Sequence, residues 1–144
     1  MKGNGFIKLR IVGQNLKLEE ITEKLSQLPS FTYRKGDSYT PKYGEEKAII
    51  YKEDCWLLEL EKDDNQTFDD TINKFLSNLK NSTDYLKELS SNFDVTLWVS
   101  AYPDEEQSNI HLSPDTLKLI ADIGISVDFN ILFLKEFYDG TYNK

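Results

Sequence analysis

The sequence predicts an α+β fold of ferredoxin-like character, a sandwich of a largely antiparallel sheet with helices packed on one face. Three observations carry this. Period-two alternation marks strands near the start, in the second half and near the end of the chain. Amphipathic stretches with readable caps lie between them. The strands alternate apolar with polar residues instead of running apolar throughout, as a sheet covered on only one face requires.

The first strand is "FIKLRIV" (6–12), with Ile7, Leu9 and Ile11 on one face and Lys8 and Arg10 on the other; Gly13-Gln14-Asn15 ends it. In "LKLEEITEKLSQL", Leu18, Ile21, Leu25 and Leu28 recur at helical spacing, so a helix is expected up to Pro29. "FTYRKGDSYTPKYGEE" is irregular and predicts a short strand near Phe31–Arg34 followed by a surface loop. "AIIY" and "CWLLEL" flank "KED" and predict a hairpin, with Trp56 in the core.

"EKDDNQ" reads as a solvated turn. Thr67 then precedes Asp69 and Asp70, an N-cap with acids in the first turn, where the helix dipole favours them. Phe68, Ile72, Phe75, Leu76 and Leu79 supply a buried stripe. Asn81-Ser82 breaks the helix, and a shorter one carries Tyr85, Leu86 and Leu89. "FDVTLWVSAY" (93–102) is the clearest strand, with Thr96, Trp98, Ser100 and Tyr102 on its polar face. "NIHL" predicts a short edge strand. Ser113 caps a further helix with Pro114 at its first position, Leu112 and Leu117 as a staple, Leu117, Ile120 and Ala121 as the inner stripe, and Gly124 as a left-handed C-cap. "ISVDFNILF" closes with Ile125, Val127, Phe129, Ile131 and Phe133 on one face and Asp128 and Asn130 opposite. Asn15–Tyr33 and His111–Phe129 align without gaps, Leu16 with Leu112 and Ile21 with Leu117, which suggests a two-half pseudo-repeat.

With 144 residues, the chain has the size of a single domain spanning 1–144. Its one cysteine, Cys55, allows no intrachain disulfide, and no run approaches the length of a membrane span. A soluble, reducing compartment is expected, most simply the cytoplasm. Net charge is −8, unevenly spread: residues 1–42 carry eight Lys/Arg against four Asp/Glu, and the rest nine against twenty-one. Such a chain repels a phosphate backbone, so neither nucleic acid nor an anionic membrane is an expected partner. A basic protein would be attracted, although acidity also serves solubility alone.

No catalytic constellation emerges. Arg34-Lys35-Gly36-Asp37 is a candidate anion-binding loop, since amides beside a glycine can form a nest and the cations add charge. Walker-type and dinucleotide spacings are absent, however, and the leading expectation is a turn in which Gly36 takes a positive φ and Asp37 bonds to local backbone. Asp63, Asp64, Asn65, Asp69 and Asp70 fail as an EF-hand loop: the sixth position is Phe68 and the twelfth Lys74. With a single histidine, His111, no Cys/His zinc site can be assembled, and Cys55 is expected to be buried and inert. No metal or cofactor is expected. If the strands neighbour one another, Lys8, Arg10, Thr96, Trp98, Ser100, Asp128 and Asn130 share the outer sheet face, an aromatic among polar groups that suits protein recognition; a Trp98 lying simply under the loops is an equal expectation.

Three stretches together give a family resemblance: "LKLEEITEKLSQLPSFTYRKGD", "CWLLEL" and "LSPDTLKLIADIGISVDFNI". In this order the chain resembles the bacterial domain of unknown function 4279 family over nearly its whole length. The resemblance implies a compact α+β domain without an established activity, and an immunity or interaction role. The chain departs from the family pattern at Lys17, where an acidic helix cap is common, and at Asn130-Ile131-Leu132, where Asp-Ile-Tyr is common. The functional expectation is a non-enzymatic module that occludes a basic partner. Asp104-Glu105-Glu106 and the 61–70 segment would steer it, and an aromatic patch would anchor it. The alternative is a small-ligand sensor.

Overall fold

The computed structural model describes residues 5–39, 48–103 and 109–132. In chain order the elements are β1 (Gly5–Gly13), α1 (Leu18–Leu25), β2 (Phe31–Tyr33), β3 (Ser38–Tyr39), β4 (Ile49–Ile50), β5 (Asp54–Glu61), α2 (Phe68–Asn78), α3 (Thr83–Asn92), β6 (Asp94–Ala101), α4 (Pro114–Ile123) and β7 (Ser126–Ile131). A 3-10 turn at Lys80–Ser82 separates α2 from α3. The main sheet has the order β2-β5-β1-β6-β7, antiparallel except for the parallel β6–β7 pair. Its first four strands form the two interleaved strand-helix-strand units of a ferredoxin-like sandwich: β1 and β2 flank β5, and β5 and β6 flank β1. Helix α4 then returns the chain to add β7 beside β6.

Odd-numbered residues of β1 meet Trp56, Leu58 and Leu60 on one side and Val95, Leu97 and Val99 on the other. Side chains from all four helices cover this surface: Leu18, Ile21 and Leu25 of α1, Ile72, Phe75 and Leu76 of α2, Leu86 and Leu89 of α3, and Ile120 and Ile123 of α4. Trp56 is fully buried, and its indole N–H donates to Thr22 Oγ1 at 3.0 Å. The predicted caps form. Thr67 and Asp70 make a reciprocal capping box, Ser113 Oγ accepts from Thr116 N–H, and Gly124 closes α4 at φ 76°.

Several local expectations are corrected. Helix α1 stops three residues before Leu28: Ser26 enters the left-handed region at φ 53°, and the Ser26 and Gln27 amides fold back onto the Glu23 and Thr22 carbonyls. Leu28 is therefore 81% exposed. The expected hairpin of residues 48–51 with 55–60 does not form. Both edges of β5 are taken by β1 and β2, so Ile49 and Ile50 pair with Tyr39 and Ser38 in a separate two-stranded sheet. Residues 109–112 are irregular and make no strand. In α4 the inner stripe is Thr116, Ile120 and Ile123; Leu117 is half exposed and Ala121 exposed. The Thr116 hydroxyl, wholly buried, accepts from Asn73 Nδ2 at 3.1 Å, which sets the rotation of the helix.

The apolar stripe leading into β7 is buried only at the residue before the strand. Ile125 is 8% exposed, but Phe129 and Ile131 are 48% and 53% exposed because β7 is the edge strand. Phe133 lies outside the described residues. The proposed pseudo-repeat reduces to shape: α1–β2 and α4–β7 are each a helix followed by an edge strand. Ile21 is buried where its counterpart Leu117 is half exposed, and β2 runs antiparallel to its neighbour whereas β7 runs parallel.

Candidate functional site

The sheet face away from the helices holds the candidate site. Strand alternation dictates its membership: Phe6, Lys8, Arg10 and Val12 of β1 point there, and strand register brings their partners into rows. One row runs Glu59, Lys8, Trp98, Asp128 across β5, β1, β6 and β7. Its neighbours run Glu61, Phe6, Ser100, Asn130 and Leu57, Arg10, Thr96, Ser126. The seven residues expected on this face all lie on it by register, but Thr96 and Ser100, which flank Trp98 along β6, are buried.

Trp98 sits at the centre of the middle row. Its ring is partly exposed, but its indole nitrogen is buried and its N–H has no acceptor among the described residues. A buried donor left unpaired costs about 1–3 kcal/mol. Lys8 Nζ stands 4.8 Å above the Phe6 ring, and Phe6 meets Tyr102 at 5.8 Å between centroids. Glu59, Glu61, Asp94 and Asp128 are exposed around this centre. The face is thus an aromatic and cationic middle rimmed by four carboxylates.

Arg34-Lys35-Gly36-Asp37 is a closed turn. Gly36 has φ 95°. Arg34 N–H donates to Asp37 Oδ2 at 2.9 Å, and Asp37 N–H to the Arg34 carbonyl at 3.0 Å. Lys35 N–H donates to Asp54 Oδ1 at 2.7 Å and Gly36 N–H to the Tyr51 carbonyl at 2.9 Å. All four amides are occupied, so the loop offers no nest to an anion. The Arg34 guanidinium reaches the Leu16 carbonyl and Glu19, at 3.3 and 3.4 Å. The Lys35 side chain is exposed.

Asp54 escaped the sequence reading and is the strut beneath this turn. It is 5% exposed, and its second oxygen accepts from Leu16 N–H at 2.9 Å. The Lys35 amide, against the cost of burial and with help from the Leu16 amide and Arg34, holds its carboxyl below the usual range. No local motif could have revealed this, because its partners lie 38 and 19 residues away. Beside the turn, Tyr33 and Tyr51 stack at 3.5 Å and Tyr51 and Tyr39 at 4.8 Å.

Cys55 is buried under this end of the sheet, and burial pushes its thiol up despite the opposing pull of Arg10. His111 lies at the other end. Cys55 pairs with Val12, whereas His111 shares a cleft with Ala101, the partner of Gly5. Seven strand residues span about 23 Å, so the two make no nucleophilic pair. That cleft, of about 350 Å³, is also lined by Lys62 and Asp69. Lys62 Nζ is spent on the Asp63 and Gln66 carbonyls at 3.1 and 2.9 Å. Burial opposes ionisation of Asp69, yet the Ser113 amide at 2.7 Å brings its carboxyl below the usual range. A second cleft, about 340 Å³, lies between α1 and α3 and is lined by Glu20, Tyr85 and Glu88. Burial, then those two carboxylates, push the Tyr85 hydroxyl up to about 12.

Among the described residues no three His, Cys, Asp or Glu side chains are grouped to hold a metal ion, and no helix is long and apolar enough to cross a membrane. Asp104, Glu105 and Glu106 lie outside the described residues. Compared with known proteins, residues 4–134 match the family model described as Domain of unknown function (DUF4279). No curated protein and no solved structure matches the chain.

Proposed function

We propose that this chain, which belongs to the DUF4279 family, is a non-enzymatic, cytoplasmic protein-binding module whose sheet face opposite the described helices docks on and masks a basic partner, in the manner of an immunity protein. One observation carries the reading. The partly exposed Trp98 ring lies in the middle of a face whose rim holds Glu59, Glu61, Asp94 and Asp128. An aromatic anchor inside a charged rim divides the labour of binding: the centre sets the lifetime of the complex and the rim steers the approach. The net charge of −8 extends that steering field.

The test is capture from the cells that make the protein, at low and high salt, followed by reconstitution with the purified partner. The reading expects a basic protein bound stoichiometrically, slower association as salt rises, and loss of binding on Trp98→Ala. A partner held equally well by Trp98→Ala would remove the face from the mechanism. A second reading, a small-ligand sensor, is favoured by the cleft between Lys62 and His111, whose volume of about 350 Å³ reaches the lower end of ligand sites. A thermal-shift screen of amino acids and nucleotides tests it, since saturation at a hundred times the dissociation constant adds about 2.7 kcal/mol.

A further inference from the structure

The two edges of the main sheet differ. At one edge β2 has only three residues, Phe31–Tyr33, between Pro29 and the closed turn at Arg34–Asp37. At the other, β7 has six, Ser126–Ile131, and contains neither lysine nor proline, the residues that commonly guard an exposed edge. Its apolar side chains Phe129 and Ile131, and Leu132 beyond them, are 48%, 53% and 44% exposed. Among the described residues no strand pairs with the outer side of β7.

Backbone direction follows from one bond. Leu132 N–H donates to the Ala101 carbonyl at 2.9 Å, so the backbone of Leu132 faces β6. Alternation turns the amides and carbonyls of Asn130, Asp128 and Ser126 toward β6 as well, and those of Val127, Phe129 and Ile131 outward. An antiparallel neighbour must set its own outward residues opposite these three.

We propose that the occupant of this edge is the β7 of a second copy, related by a two-fold axis through Phe129. In that register Phe129 faces its own copy and Val127 faces Ile131, which covers the exposed apolar groups on the helix side. On the other side Asp128 faces Asn130 twice, so the only charged residue of the strand meets an amide. Centring the axis one residue earlier would set Asp128 against Asp128, and like charges directly opposite are destabilising. The two sheets become one of ten strands, and the two faces opposite the described helices lie side by side. A single strand pair buries less than the usual area of a permanent interface, so the dimer is reversible.

Sedimentation velocity on the full chain, from about 1 μM to about 1 mM, tests this with three surface variants. The wild type shifts from monomer to dimer across that range. Asn130→Asp places carboxylates opposite each other at two symmetric positions and weakens the dimer roughly five-fold, while Asn130→Lys pairs with Asp128 and strengthens it by a similar factor. Phe129→Lys, which opposes like charges on the axis, abolishes it. Thermal unfolding of the variants at low concentration checks that the fold is intact. A wild type that stays monomeric throughout, or a dimer indifferent to all three substitutions, overturns the proposal.

Discussion

Lys35 N–H donates to a carboxylate oxygen of Asp54 at 2.7 Å while Leu16 N–H holds the other oxygen at 2.9 Å, so one buried side chain ties the start of β5 to two turns. Asp54→Ala leaves two amides without their acceptor and is expected to cost about 3 kcal/mol; Asp54→Asn, which keeps one acceptor, about 2. Urea unfolding of the two variants reads the difference. Equal stability of all three proteins would mean that the strut carries no weight.

The same carboxylate sets an acid limit. Asp54 and Asp69 both have lowered values in the folded chain. The unfolded chain therefore takes up protons first as pH falls, and the stabilisation from these groups is complete above about pH 4 and drains away below it. The unfolding midpoint of the wild type should fall below that pH, and Asp54→Asn should show a shallower decline. Parallel declines would assign the acid limit to other carboxylates.

The two tryptophans should respond oppositely to loss of the indole nitrogen. Trp56→Phe breaks the bond to Thr22 Oγ1 in a fully buried position and is expected to cost about 2 kcal/mol. Trp98→Phe removes a donor that has no acceptor among the described residues, so stability should stay within about 1 kcal/mol of wild type or rise. Thermal unfolding of both variants decides this. A loss at Trp98 as large as that at Trp56 would show that its nitrogen is bonded after all.

Cys55 should resist alkylation in the native protein, because it is 1% exposed and burial holds its thiol in the neutral form. Reaction with a thiol reagent should appear only as denaturant unfolds the chain. Rapid labelling without denaturant would place the thiol at the surface.

Local signals made much of this fold legible. The alternation in residues 6–12 and 93–102 predicts β1 and β6, the residues sharing the outer face, and the position of Trp98 on it. Thr67, Ser113 and Gly124 predict their caps because each acts through atoms within a few residues of itself. What failed depended on partners distant in sequence. The chain at 48–51 reads as half of a hairpin, but pairing is decided by competition, and β1 and β2 occupy both sides of β5. Leu117 has the spacing of a core residue, yet the Asn73–Thr116 bond turns the helix so that Leu117 faces out. Leu28 was lost to a left-handed serine, a position usually taken by glycine. Of the site, the face was readable and the unpaired state of its central indole was not, since that depends on where every nearby acceptor points.

The claim that Trp98 anchors a protein-docking face is tested most directly by capture with two baits side by side, wild type and Trp98→Ala, at low salt, with each retained protein purified and retested alone. The account predicts one basic protein that binds the wild type and is lost from the variant while the variant remains folded. A partner retained equally by both baits would contradict it.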